Sequence, residues 1–354
     1  MADGAAMEIV AVDHAIEWQA RHAEEAGAPN TGRVIRALLA VLDGETATGR
    51  RIANWQGLSL RDAMPLRIAG GLHNLVLTGE DTRLADVYAG RLTRQEGIDE
   101  LVKELVETYD ARLLPWLDGP PQTNEAGRSA SFIAALHWLS GKLGSRFALY
   151  EIGSSAGVNA MLDRYHYDLA GIASGPERSP MRIAPEWRGP APPDDPIEIV
   201  SIRGCDQAPV DLTDPDAALR LKSYVWPEAF GRMQRIDAAI VLANEQTPDV
   251  VMQDAADFVD EFLARPTQPG VTHALIHSIV WQYVADEGQA RITQAMESAG
   301  AASTAESPLA WIALETNRET FRHELRVRYW PGGEEAVLLG CAHPHGEWIE
   351  WLAG

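Results

Sequence analysis

The sequence predicts an α/β protein in two parts: an all-α N-terminal domain, then a largely parallel sheet that closes in an antiparallel hairpin. Three observations carry this. Residues 1–114 place apolar residues at three- and four-residue steps, the helical period. After Val158 strand-like and helix-like runs alternate, as in sheets built with crossovers. Near the end, two strand-like runs flank Pro331-Gly332-Gly333, a hairpin signal.

The helical pattern covers Val12–Ala26, Gly32–Leu42, Ser59–Thr78 and Gly97–Leu114. Thr31 and Ser59 are expected N-caps, and Gly27, Gly44 and Gly79 expected stops. Pro115-Trp116-Leu117-Asp118-Gly119-Pro120-Pro121-Gln122 breaks the pattern. The domain boundary is therefore expected there, with residues 1–120 helical and 121–354 forming the α/β domain. A helix over Thr123–Leu143 should feed a strand at Phe147–Ile152. The insertion at about 172–196 carries seven prolines from Pro176 to Pro196, too many for a regular helix. A strand at Ile197–Ile202 comes next, ending in Arg203-Gly204-Cys205-Asp206. Residues 214–246 read as helix with a break at Pro227, and Asp249–Met252 as a short strand. Asp257–Ala264 reads as helix, His273–Val280 as a buried strand, Asp286–Ala299 as helix and Leu309–Leu314 as strand. Glu324–Tyr329 and Ala336–Cys341 make the hairpin.

Composition narrows the function classes. The net charge is 30 − 51 = −21, and only Lys103, Lys142 and Lys222 of the basic residues are lysines, a weak sign of a GC-rich bacterial genome. An acidic chain without a dense basic run is not expected to bind nucleic acid or an anionic membrane. Cys205 and Cys341 have no zinc-ligand spacing, so no disulfide framework or zinc site is expected. Residues 1–8 show no leader pattern, and no run reaches about 18 apolar residues. The expectation is a cytoplasmic protein that takes a small-molecule substrate.

The most informative stretch is Phe147–Asn159. Phe147, Leu149 and Ile152 mark a buried strand. It ends at the acid Glu151 and enters a turn of small residues, Gly153-Ser154-Ser155-Ala156-Gly157. A helix opening at about Val158 would aim its free N–H groups into that turn. Such a turn can hold the polar part of a nucleotide-like cofactor. The same letters fit G-x-S-x-G, the nucleophile elbow of serine hydrolases, with Ser155 as nucleophile and Asp254 and His343 or His345 as partners. Against that reading, about 115 helical residues precede the turn, where a hydrolase would have strands.

The strand tips carry Glu151, Asp206 and Asp254. Five strand–helix alternations and a terminal hairpin resemble the class I S-adenosylmethionine-dependent methyltransferases. These have a Rossmann-like, methyltransferase-type parallel sheet with a C-terminal antiparallel hairpin. Glu151-Ile152-Gly153-Ser154-Ser155-Ala156-Gly157 corresponds to that family's E/D-x-G-x-G-x-G, with Ser155 at the middle glycine. The resemblance implies S-adenosylmethionine as cofactor. Glu151, Gly153, Ser155 and Gly157 would line its turn, Asp206 would accept the ribose hydroxyls, and Asp254 would meet the adenine amino group. The gap from Glu151 to Asp206 exceeds the roughly 20 residues of dinucleotide-type units, so the insertion must loop out. It and the helical domain are expected to overhang the strand tips and enclose the substrate.

A second resemblance spans almost the whole chain. T-N-E-A-G-R (123–128), E-I-G-S-S-A-G-V-N (151–159), G-C-D-Q-A-P-V-D (204–211), Y-V-W-P-E (224–228), H-S-I-V-W-Q-Y (277–283) and H-P-H-G-E-W (343–348) are similar to a bacterial family known as domain of unknown function 2332. It supports the same fold and implies no reaction.

Position supplies the other candidates. His277 and Ser278 end a strand, with Trp281 and Tyr283 just beyond, where ligands sit in open α/β sheets. His277 is a candidate proton acceptor, Tyr283 a candidate catalytic partner, and Trp281 a wall for substrate or sulfonium. Asn124 and Arg128 are expected over the pocket, or as helix caps. His343-Pro344-His345 would need a third ligand, His277 or His323, and spacing selects neither, so no metal is expected. Three functional readings stand: methyl transfer to a small molecule, a non-catalytic or other nucleotide-binding protein on the same fold, and a serine hydrolase using Ser155.

Overall fold

The computed structural model describes residues 11–57, 62–122 and 124–353. Ser59 as a cap, Thr123 as a helix start and the stretch 1–8 lie outside the described residues. The chain divides into two compact units, Met1–Thr123 with Asp214–Gln234, and Asn124–Thr213 with Arg235–Gly354.

The first unit is helical: α1 (Val12–Glu25), α2 (Pro29–Arg36), α3 (Ala47–Ala53), α4 (Met64–Thr78), α5 (Leu84–Tyr88), α6 (Gln95–Thr108) and α7 (Asp110–Leu113). Chain order continues with α8 (Ser129–Leu143), α9 (Pro215–Ser223), α10 (Phe230–Glu245), α11 (Ala255–Leu263) and α12 (Asp286–Ala301). Of these, α9 belongs to the first unit, and α10 carries the chain out of it. Ile16, Ile35, Leu38, Ile68, Leu72 and Val102 pack one apolar core. Gly79 closes α4 in the left-handed conformation, as expected. Thr31 does not cap a helix at Gly32, because α2 starts earlier, at Pro29. Its first N–H groups are met from far along the chain: the Glu228 carboxylate accepts from Asn30 N at 2.7 Å and Thr31 N at 3.0 Å. A local cap search cannot find a partner 197 residues away.

The second unit is α/β around a large, mostly parallel central sheet. Its strands are β1 (Arg146–Ile152), β2 (His166–Leu169), β3 (Ile172–Ser174), β4 (Arg182–Ile183), β5 (Glu186–Arg188), β6 (Glu198–Asp206), β7 (Val250–Met252), β8 (Val271–Ser278), β9 (Leu309–Thr316), β10 (His323–Trp330), β11 (Gly333–Ala342) and β12 (Trp348–Trp351). The main sheet runs β5-β12-β11-β10-β9-β8-β1-β6-β7. From β7 to β9 the neighbours are parallel; β9, β10, β11 and β12 pair antiparallel. Strand order therefore reverses at β1, whose neighbours β6 and β8 lie on opposite sides.

One face carries α8, where Trp138 meets Tyr329 edge-on at 5.7 Å. The other carries α11 and α12. There Tyr150 stacks on Phe262 at 4.3 Å within a core that includes Ile292, Met296 and Trp330.

Two further expectations are corrected. No α-helix opens at Val158: the turn leads into a six-residue 3-10 helix, Asn159–Arg164, and then the small sheet β3-β2-β4. So short a helix has no N-terminal dipole site to offer. Nor does the whole insertion hang over the strand tips. β5 pairs with β12 at the far edge of the sheet, with Trp187 against Trp351 at 5.8 Å and Arg188 over Trp348 at 4.6 Å. Past it the chain runs along α8, where Asp195 O meets His137 Nδ1 at 2.7 Å. The prolines dictate only that this stretch loops; tryptophan packing decides where the loop goes.

Candidate functional site

The C-terminal ends of β1, β6 and β8 meet at the turn 153–157. In open α/β sheets this reversal of strand order leaves a crevice for ligands. Gly153 and Gly157 both have φ of 70°, a conformation that suits glycine. A Cβ on Gly157 would stand 2.8 Å from Pro248 and Val250, so that position is closed by packing. Between them Ser155 also has positive φ, 51°. Its N–H donates to Asp206 Oδ2 at 2.9 Å, and its Oγ is buried with no hydrogen-bond partner. Ser154 N donates to Cys205 O at 2.9 Å, which lashes the turn to β6. Gly204 permits this: a Cβ there would lie 2.1 Å from Ser154 Oγ.

Glu151 is fully buried, and burial pushes its carboxyl up to about 7. Ser154 and Asn159 lie within reach and pull the other way; the charge of Asp206 raises it further and Arg128 lowers it. Glu151 Oε2 and Asn159 Oδ1 have no hydrogen-bond partner, although both side chains are buried. Three orphaned polar atoms in one turn are unusual, since buried polar groups are nearly always paired. They fit a ligand that brings hydrogen-bond donors. Asp206 is more engaged: Oδ2 holds Ser155 N and Oδ1 holds Ala208 N. Asp254 caps α11 through Ala256 N at 2.8 Å.

The segments 124–128, 277–283 and 343–346 converge on the same edge. Asn124 Oδ1 accepts from Val158 N at 2.8 Å, steadying the turn's exit. Arg128 Nε donates to Pro344 O at 2.7 Å and Nη1 to Ser278 O at 3.4 Å, so one buried guanidinium ties two loops to the start of α8. Gly127 lies flat on Gly346, with room for no side chain.

Register sorts the remaining candidates by face. In-register partners project to the same side of a sheet. Glu151 pairs with Ile276, Ile276 with Ile312, Ser278 with Leu314, and His323 with Thr316. Glu151, Ser278, Thr316 and His323 therefore share one face. His277, Trp311 and Glu315 occupy the other. There His277 Nε2 accepts from Trp311 Nε1 at 2.8 Å and its Nδ1 donates to Glu315 Oε1 at 2.7 Å. A proton-accepting role for His277 requires the indole bond to break first. Tyr283 is 77% exposed on a 3-10 turn, and Trp281 stacks on His277 at 5.2 Å.

Sequence reasoning missed Asn159, Thr316 and Glu315, and raised His323 only as a possible metal ligand. His323 Nδ1 pairs with Thr316 Oγ1 at 2.9 Å. Burial, Arg128 and His343 hold His323 below the usual histidine range, against Glu315. Its position at the first residue of β10 was the available signal. The hydrolase partners are not brought together: Ser155 Oγ touches no base, while His345 faces Glu125 at 3.6 Å and His343 faces Glu347 at 3.7 Å. Among the described residues no group of three or more His, Cys, Asp or Glu is placed to hold a metal ion, and no helix is long and apolar enough to cross a membrane.

Neither a curated protein nor a solved structure matches this chain. A family profile does, over residues 13–351, and by that match the chain belongs to the family described as an uncharacterized protein conserved in bacteria, domain of unknown function 2332.

Proposed function

We propose that this protein is an S-adenosylmethionine-dependent methyltransferase acting on a small molecule, on a Rossmann-like sheet. The observation that supports the reading best is Glu151. It is a buried acid with an unpartnered oxygen, at the tip of the strand where the order reverses, beside the orphaned Ser155 Oγ and Asn159 Oδ1. Those atoms would hold the donors of the cofactor's polar end. Asp206 would accept ribose hydroxyls on the lone pairs that Ser155 N and Ala208 N leave over. The cofactor would supply an electrophilic methyl group on a sulfonium sulfur.

The chain's own residues then have distinct tasks. Arg128 and Ser278 shape the acceptor's side of the Glu151 face. His323, on that face and oriented by Thr316, takes up the acceptor's proton; His277, locked between Trp311 and Glu315, orients the loop after β8. A net charge of −21 favours a compact acceptor over a nucleic acid.

Calorimetry with S-adenosylmethionine and S-adenosylhomocysteine at millimolar ligand tests the reading, which predicts saturable binding that is lost in Glu151→Ala. Absence of binding by both ligands overturns it. The left-handed Ser155 keeps one rival alive, because a nucleophile elbow is strained in a similar way. A fluorophosphonate probe decides between them: labelling that vanishes in Ser155→Ala selects the hydrolase.

A further inference from the structure

The hollow over Gly153 is filled by the protein itself. A Cβ placed on Gly153 would stand 2.2 Å from Val280 Cγ2. Val280 belongs to the segment that leaves β8, and that segment is held in an unusual way. Ile279 has φ of 52°, a left-handed conformation that is a steric outlier for a β-branched residue. Its N–H is tied to Leu314 O at 2.9 Å. One oxygen, Glu315 Oε1, then accepts from Val280 N at 3.1 Å, Trp281 N at 3.3 Å and His277 Nδ1 at 2.7 Å. Farther along, Gln289 of α12 donates to Trp281 O and Val284 O, both at 2.9 Å. Tyr283 N and Val284 N donate within the segment, to Val280 O and Trp281 O. The segment is thus anchored at both ends, and the N–H groups of Val280 and Trp281 depend on a single carboxylate.

We propose that residues 279–284 are a strap closed over the cofactor turn, and that Glu315 is the positioning residue that latches it. This rests on the reading of that turn as a cofactor site. Strain at Ile279 favours release, and the convergent hydrogen bonds on Glu315 oppose it. When the strap lifts, Val280 leaves Gly153 and the turn's backbone opens to a ligand; when it closes, the aliphatic side chain covers the Gly153 backbone. Glu315 does this from the opposite face of the sheet, so it need not touch the cofactor.

The test reads the strap and the ligand separately. Amide hydrogen exchange of the free protein, resolved at Val280 and Trp281, is compared in wild type, Glu315→Gln and Glu315→Ala. Stopped-flow association of S-adenosylhomocysteine is then measured on these and on Val280→Ala. The strap predicts that Glu315→Ala speeds exchange at the two amides by about tenfold or more while β8 stays protected, with Glu315→Gln rescuing part of the protection. It also predicts association faster by about tenfold in Glu315→Ala and in Val280→Ala. Unchanged exchange in Glu315→Ala overturns the latch. Faster exchange with unchanged association in both variants overturns the gating role. If S-adenosylhomocysteine binds to no variant, the cofactor reading falls instead, and exchange alone decides the latch.

Discussion

The two faces of the sheet end differently at their shared C-terminal edge. On the α8 face, Glu151 keeps one oxygen unpartnered, and Asn159 and Ser155 beside it each keep one polar atom unpartnered, all of them buried. On the α12 face, His277, Trp311 and Glu315 close a chain in which both imidazole nitrogens are used and one carboxylate oxygen gathers three N–H groups. Both faces carry ionisable groups a few residues apart in register. What separates them is satisfaction: a closed hydrogen-bond chain rigidifies, while unpaired buried groups cost stability and persist where something else repays them. On the proposed reading, the α8 face is the one prepared for a ligand and the α12 face is its support.

The sharpest way to break that contrast is to weld the faces together. Gly153→Ala combines a left-handed backbone with a clash against Val280, and should destabilise the protein by roughly 3 kcal/mol in denaturant titration. Val280→Ala in the same chain should restore part of the loss, and a double-mutant cycle showing no coupling would remove the contact from the account.

Glu151 gives an effect of similar size with a pH signature. Its folded-state value near 7 lies above the ordinary 4.5, so between those values the folded protein holds a proton that the unfolded chain has released. The contribution of Glu151 to stability is full below about pH 4.5 and falls as pH rises to about 7, by on the order of 3 kcal/mol. Glu151→Gln should flatten that window relative to wild type in melts across pH 4–8, and should also abolish cofactor binding. Parallel stability–pH curves in the two proteins would show that Glu151 is not perturbed.

On the supporting face, His277→Ala leaves Glu315 and the Trp311 N–H short of a partner. It should cost about 2 kcal/mol of stability, yet leave equilibrium affinity for S-adenosylhomocysteine within a few-fold of wild type. Affinity lost with stability intact would reverse the assignment of the two faces. Asp206→Asn keeps a carbonyl for one of its two backbone donors and removes the charge. The expected outcome is about tenfold weaker nucleoside binding with a small fall in melting temperature. Tyr283→Ala, at a side chain 77% exposed, should move stability by no more than about 0.5 kcal/mol. A large change in binding there would restore Tyr283 to the site.

Much of the second unit could be read along the chain. β8 overlaps the near-continuous apolar run read over 273–280 and is buried on both faces, and β10 and β11 form the hairpin around Pro331-Gly332-Gly333. In the first unit, α9 ends and α10 begins on either side of Pro227, which forbids a regular helix there. These features were legible because period and turn chemistry are local. The Glu151 turn was legible for the same reason: an acid at a strand tip before a run of small residues is a short-range signal.

The chain beyond that turn was not legible. The local pattern favours a helix at Val158, yet Tyr165 and Tyr167 bury their rings and send their hydroxyls back to Val158 O, Leu162 O and Ser129 Oγ. Those bonds tie a short 3-10 turn and a small sheet into the place of a crossover helix. The Glu228 cap on α2 was hidden by distance along the chain, as was the separation of His277 from Glu151 by the thickness of a sheet. By itself the sequence determined which residues form β1 and β6 to β11, where the chain turns between them and where an acid waits at a strand tip, because these depend on neighbours within a few residues. The tertiary structure alone decided which histidine shares that acid's face, what fills the hollow over Gly153 and which buried atoms are left without a partner. Those outcomes depend on register between strands far apart in sequence, and a shift of one residue sends every side chain to the other side.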